Sequence, residues 1–163
     1  MWRIHAPYVD HVLIETVSAV AHVDATLEGA TGHEKPIWLS VSVDDYDGTK
    51  LRSGEPLEHV MDRIDRADAL LVNCATPEAV TMAVDVIKGC GKPFGAYANS
   101  FTEITQSFVQ VGATVQELSA RTDLTPAAYA DFAEDWAQME ATIIGGCCEV
   151  GPAHIAEIVR RLT

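Results

Sequence analysis

Short apolar runs alternate with stretches of helical period along the whole chain, and this alternation limits the folds open to it. Val12-Leu13-Ile14, ending at Glu15-Thr16, is the first run; Ile37 to Val43, Ala69 to Val72, Pro93 to Tyr97 and Thr142 to Ile144 follow. Each has the length and flanks of a strand. Between them, Leu57, Val60, Met61 and Ile64 fall at i, i+3, i+4 and i+7, as do Val80, Ala83, Val84 and Ile87, so each set shares one helix face. Tyr129, Phe132, Ala133 and Trp136 give the next helix a buried stripe, and Ile155, Ile158, Val159 and Leu162 give the last helix another. Thr76-Pro77 and Thr125-Pro126 read as N-caps followed by proline at the first helical position, and Gly89 as a helix stop. Strand, helix and strand in repetition imply an α/β fold, a parallel sheet of about five strands with flanking helices. With 163 residues, 48% of them apolar, the chain is sized to bury the core of one domain. There is no linker, low-complexity tract or sequence repeat.

Acidic side chains outnumber basic ones 24 to 11, a net charge of −13, and no basic cluster breaks the pattern. Nucleic acid and anionic membrane surfaces are therefore set aside as partners. No apolar stretch approaches the length of a bilayer span, and Met1-Trp2-Arg3-Ile4-His5 lacks a secretory apolar region. The expected location is cytoplasmic. Thiols stay reduced there, which favours metal binding or catalysis over cross-links.

Three cysteines stand where strands are expected to stop: Cys74 after Asn73, and Cys147-Cys148 after Gly145-Gly146. Thiolates serve zinc well, and a catalytic zinc needs three protein ligands with a fourth position open. Adjacent residues are poor disulfide partners, because their α-carbons lie about 3.8 Å apart against the usual 4.4 to 6.8 Å. Gly145 and Gly146 free the backbone for conformations or close approaches that bulkier residues forbid. Ordinary buried cysteines are the other reading, since free cysteine is among the most buried residue types. Two long loops, Asp44 to Glu55 with its Asp47-Gly48 turn and Phe101 to Leu124, are either binding loops or surface insertions.

Asn73-Cys74 with Thr76-Pro77-Glu78, Tyr97-Ala98-Asn99, and Ile144-Gly145-Gly146-Cys147-Cys148 with Pro152 and His154-Ile155 resemble the carboxy-terminal half of the homocysteine S-methyltransferase family. Ile14-Glu15-Thr16, the Leu51 to Leu57 stretch with Ser53-Gly54-Glu55, and Leu124-Thr125-Pro126 add to the match. The resemblance covers nearly the whole chain. It implies a (β/α)8 barrel, with Zn2+ held at the mouth by Cys74, Cys147 and Cys148. Such barrels carry their sites at the carboxy-terminal ends of strands and usually take about 250 residues. The expectation is thus a partial TIM barrel: one homocysteine-binding domain over residues 1–163, its strands matching the fourth to eighth of the family.

The resemblance further implies zinc-dependent methyl transfer from a small donor to the thiol of homocysteine, giving methionine. Metal-held sulfur would stay a thiolate near pH 7, although a free thiol titrates near 8.5. Glu15 matches the position that engages the substrate amino group. Asn73 and Asn99 either orient substrate or hold the ligands from behind. The alternatives are a non-catalytic remnant or interaction module with a structural zinc, and a metal-free thiol enzyme, for which no suitably placed histidine is evident. A five-strand piece of a barrel leaves edges and apolar surface uncovered, so pairing with a separate amino-terminal half or self-association is expected. Where the family often continues Gly-Thr-Thr-Pro after the paired cysteines, this chain has Glu149-Val150-Gly151-Pro152. Cys90 matches no ligand position. His5, His11, His22, His33, His59 and His154 form no ligand-spaced pair, and His154 is expected in the first turn of the last helix.

Overall fold

Five strands pair in parallel in the order in which they occur: β1 (Val12–Val17), β2 (Ile37–Val41), β3 (Ala69–Asn73), β4 (Phe94–Tyr97) and β5 (Ile143–Ile144). The helices between and after them are α1 (Val20–Gly29), α2 (Glu58–Met61), α3 (Pro77–Ile87), α4 (Pro126–Gln138) and α5 (Pro152–Leu162). This is a computed structural model that describes residues 5–163 apart from 31, 33, 106 and 109. His33 and residues 1–4, read above for ligand spacing and a leader, lie outside the described residues. Parallel strands need crossover connections, and these are right-handed almost without exception. With strand order equal to sequence order, every right-handed crossover falls on the same side of the sheet.

Alternation along each strand then separates two faces. Leu39, Val41, Leu70, Val72, Phe94 and Ala96 point into the buried cluster shared with the helices. Their neighbours Glu15, Trp38, Ser40, Leu71, Asn73 and Tyr97 stand on the opposite face. The helices form for the reasons read from sequence. Thr76 and Thr125 accept hydrogen bonds from the amides of Ala79 (3.4 Å) and Ala128 (3.2 Å), each with proline next in line. Val60 and Ile64 are buried as expected, although α2 ends after one turn and a 3-10 turn, Ile64–Arg66, carries Ile64. α3 ends at Ile87 with Lys88 as its C-cap, so Gly89 stands just beyond the helix as expected, and the left-handed residue of the turn that follows is Gly91 (φ +73). Val43 leaves β2 to form an isolated antiparallel bridge with Leu51, which pins the first long loop. That loop returns to α1: Gly54 turns it at φ +88, and the Glu55 carboxylate accepts from the Val20 amide at 3.0 Å, at the helix start. Ser53-Gly54-Glu55 is thus a helix cap supplied by a loop.

The last helix departs from expectation. Of its apolar stripe only Ile158 is buried, while Ile155, Val159 and Leu162 are 38%, 52% and 38% exposed. α5 docks on α4, where Arg161 pairs with Asp131 and Glu134, and this contact covers one edge of the stripe. Nothing among the described residues covers the rest. Leu13, on the outermost strand, is 40% exposed as well.

Ile158→Ala should cost about 2 to 5 kcal/mol in urea unfolding, the usual range for emptying a buried aliphatic site. Val159→Ala should change it by no more than about 0.5 kcal/mol.

Candidate metal centre

The three sequence-singled thiols converge: the Sγ atoms of Cys74, Cys147 and Cys148 all lie within 4.8 Å of one another. Cys74 follows β3, and the paired cysteines follow β5, with β4 between them. The strand ladder continues past the strands to fix them. Cys74 donates its amide to the Tyr97 carbonyl (3.4 Å), Cys147 to that of Ala98 (2.9 Å), and the Ser100 amide donates to the Cys148 carbonyl (2.9 Å). Buried Tyr129 sets its hydroxyl 3.0 Å from the carbonyls of both Ala98 and Gly145, where it joins the two loops. Gly146 serves a close approach: a Cβ there would stand 2.1 Å from Val150 Cγ1. Gly145 would admit one at an ordinary 3.6 Å from Tyr97.

Strain collects around the thiols. Four described residues other than glycine have left-handed φ, and three flank this site: Thr16 (+57), Cys74 (+55) and Glu149 (+65). Such conformations persist only where neighbours over-determine them. For Cys74 the neighbours are identifiable. Its carbonyl accepts from Arg52 (2.8 Å) and from the Ser42 hydroxyl (3.3 Å). Arg52 in turn forks onto Asp45 at 3.0 and 2.9 Å, with side chains 17% and 4% exposed. Asp45 also accepts from the amides of Thr76 (3.1 Å) and Ile104 (2.7 Å), so one buried ion pair ties both long loops to the cysteine. Sequence reasoning missed this pair, because an acidic loop looks solvated until its partner is known. Glu149 holds the left-handed region that favours glycine.

The two asparagines are nearly fully buried and face the thiols. Asn73 accepts from the Thr16 amide (3.1 Å) and the Ser40 hydroxyl (2.8 Å), donates to the Thr16 hydroxyl (2.9 Å), and reaches Cys147 Sγ at 4.0 Å. Asn99 reaches Cys74 Sγ at 4.0 Å while its carbonyl accepts from the Phe101 amide at 3.1 Å. Both therefore stand behind the thiols. Glu15 is exposed on the helix-free face of β1, in a cavity that also borders Tyr97, Gly145 and Gly146, and makes no ion pair among the described residues. Cys90 lies apart, beside the Lys92 carbonyl at 3.5 Å. His154 opens α5: Nδ1 accepts from the Gly151 amide (3.2 Å), which leaves Nε2 to donate to the Leu124 carbonyl (3.1 Å).

The thiols do not share protons evenly. A hydrogen bond from the Cys74 thiol lowers Cys147 to about 6, and the same bond, with burial, raises Cys74. Burial raises Cys148, with the Cys147 charge adding to it.

The homocysteine S-methyltransferase family model matches residues 3–162. The chain belongs to this family. It is 30% identical over 164 residues to homocysteine S-methyltransferase 4 of Zea mays, covering 93% of this chain and 44% of that enzyme. Among solved structures, the apo form of the homocysteine methyltransferase MmuM from Escherichia coli superposes with a TM-score of 0.72 at 26% identity, over 98% of this chain and 54% of that one. A metallated form of the same enzyme has a TM-score of 0.72 at 24% identity, over 97% and 47%, and shares the fold. The chain spans about half the length of the curated relatives it matches. The five parallel strands with flanking helices are the fold of about half of those barrel-type chains.

Two outcomes follow from this geometry. Arg52→Ala should cost about 3 to 5 kcal/mol in denaturant unfolding, because it leaves the buried Asp45 charge unpaired. Iodoacetamide on metal-free protein at pH 7 should modify Cys147 before the more exposed Cys148, with labelling falling as pH drops through about 6, where Cys147 regains its proton.

Proposed function

We propose that this chain binds one zinc ion through Cys74, Cys147 and Cys148 and presents homocysteine for methylation, as the homocysteine-binding half of a homocysteine S-methyltransferase. The observation that carries the reading is the convergence of three thiols at strand ends in a chain of this family. Zinc–sulfur bonds of about 2.3 Å at tetrahedral angles put sulfurs roughly 3.8 Å apart. Cys147 and Cys148 already stand at 3.8 Å, and the third thiol lies within 4.8 Å of both. An all-thiolate set also suits this soft ion. The metallated form known for the Escherichia coli relative supports a metal here.

When bound, zinc supplies the positive centre that keeps a fourth sulfur deprotonated near neutral pH. The chain's own groups do the rest. Glu15 takes the substrate ammonium on the helix-free face of the sheet. Asn73 and Asn99 orient the ligand thiols from behind, the Arg52–Asp45 pair holds Cys74 in its left-handed conformation, and Tyr129 keeps the loops of β4 and β5 together. The substrate sulfur then forms its bond to the donor's methyl carbon as the bond from that carbon to the leaving atom breaks, giving methionine and a demethylated donor. We place this reaction in methionine formation in the cytoplasm, where thiols remain reduced. Three further strand–helix units would cover the outer edge of β1, the helix-free face of the sheet and the apolar stripe of α5, closing a barrel. That assignment is supported by the exposed Leu13, Ile155, Val159 and Leu162 and by the share of the relatives that this chain spans.

Metal analysis of protein purified without added zinc should find one zinc per chain, sharply reduced in Cys74→Ala, Cys147→Ala and Cys148→Ala and unchanged in Cys90→Ala. Equal zinc in Cys147→Ala and the parent would overturn the ligand set. Methyl transfer should appear only when the remaining strand–helix units are supplied; zinc without any homocysteine binding would favour a structural site in an interaction module.

A further inference from the structure

The loop that carries the paired cysteines is anchored at both ends from the start of α4. On its strand side, the Tyr129 hydroxyl stands 3.0 Å from the carbonyls of Gly145 and Ala98. On its helix side, the Gly151 amide donates to His154 Nδ1 at 3.2 Å, and His154 Nε2 donates to the Leu124 carbonyl at 3.1 Å, just ahead of the Thr125 that caps α4. The His154 ring also meets Tyr129 edge-on, with centroids 5.9 Å apart and planes at 85°. The two anchors therefore brace each other.

The loop between them needs both. Cys147 to Val150 form a turn closed by the Val150 amide on the Cys147 carbonyl (3.1 Å), with Glu149 left-handed at φ +65. Such a conformation persists only where the surroundings impose it. Beyond Val150 the chain enters α5 through Gly151, an N-cap residue with no side chain to hold the free amides of a helix start. His154, at the third helical position, reaches back to the Gly151 amide, the part that glutamate or glutamine plays in a capping box. A glutamate could not do all that His154 does, because its carboxylate would set a charged oxygen against the Leu124 carbonyl. The neutral imidazole accepts at one nitrogen and donates at the other.

We infer that His154 is the positioning residue for the Cys147–Cys148 half of the metal site, holding the turn in the shape that carries both sulfurs towards Cys74. It acts through the backbone of Gly151. This rests on the reading that the three thiols bind a metal. The Ser100 amide holds the Cys148 carbonyl at 2.9 Å, so a turn released at Gly151 is free to pivot about that bond and to relax Glu149. The 3.8 Å spacing of the two sulfurs, which suits a tetrahedral metal, is then no longer imposed.

The test is cobalt(II) titration of reduced, metal-free protein at pH 8, followed by the thiolate-to-cobalt and d–d absorption bands, in the parent, His154→Leu, His154→Gln and Ile158→Ala. His154→Leu should bind cobalt at least about tenfold more weakly, the loss usual when a group that orients a metal ligand is removed, and its d–d bands should shift. His154→Gln, which offers an oxygen to Gly151 and an N–H to Leu124, should recover most of the affinity and the parent bands. Ile158→Ala loosens the same helix through its core contact, so it should lower the unfolding midpoint and leave affinity and bands as in the parent. Parent-like affinity and bands in His154→Leu would overturn the inference, as would an equal loss in Ile158→Ala, which would make stability the cause. Nitrogen-15 spectra of the parent imidazole keep the inference testable should His154→Leu fail to fold: a hydrogen on Nε2 and none on Nδ1 is expected, and the opposite tautomer would overturn it. If the parent binds no cobalt, the proposed metal site fails and this inference falls with it; if the parent binds and His154→Leu binds equally, only the inference fails.

Discussion

The segment that runs on from β4, from Tyr97 to Ser100, holds the two halves of the thiol cluster together. On one side its Tyr97 carbonyl accepts from Cys74 and its Asn99 amide donates to Ala75; on the other its Ala98 carbonyl accepts from Cys147 and its Ser100 amide donates to Cys148. Cys74 and the paired cysteines belong to segments more than 70 residues apart, as the separation of 74 between Asn73 and Cys147 indicates. Local structure alone could not bring them within reach. Hydrogen bonds to a strand placed between them do, and the strand order places it there because successive right-handed crossovers add strands one beside the next. The cluster is thus a consequence of topology, completed by local strain at Cys74 and by the tight fold of Gly146 against Val150.

Helices on one side leave the other side of the sheet to the site chemistry. Glu15, Ser40, Asn73 and Tyr97 come from four different strands and share that side, and of these Asn73 reaches a thiol, Cys147 Sγ at 4.0 Å. Their arrangement has a definite sense: amide and hydroxyl hydrogens converge on Asn73 Oδ1, which leaves its Nδ2 toward Thr16 and Cys147. The chain's net charge of −13 adds a general bias towards cationic groups without locating one.

Much of this was legible in the sequence, for particular reasons. The five strands lie at the short apolar runs, and two helix starts lie at Thr76-Pro77 and Thr125-Pro126, because capping is chemistry between near neighbours. The convergence of the thiols could be expected from their strand-end positions together with the family resemblance. The last helix was misread because periodicity identifies an apolar face and not what covers it: Ile155, Val159 and Leu162 share a face with Ile158 and remain exposed. The Arg52–Asp45 pair escaped notice because its value lies in contacts with Cys74, Thr76 and Ile104 that no local pattern encodes.

The central claim, a three-thiolate metal site with one position left for the substrate sulfur, is tested most directly by X-ray absorption at the zinc edge, with and without saturating homocysteine. The account predicts three sulfur ligands and one oxygen or nitrogen ligand in the resting protein, changing to four sulfur ligands on addition. A spectrum that homocysteine leaves unchanged, or a resting site with fewer than three sulfurs, would contradict it.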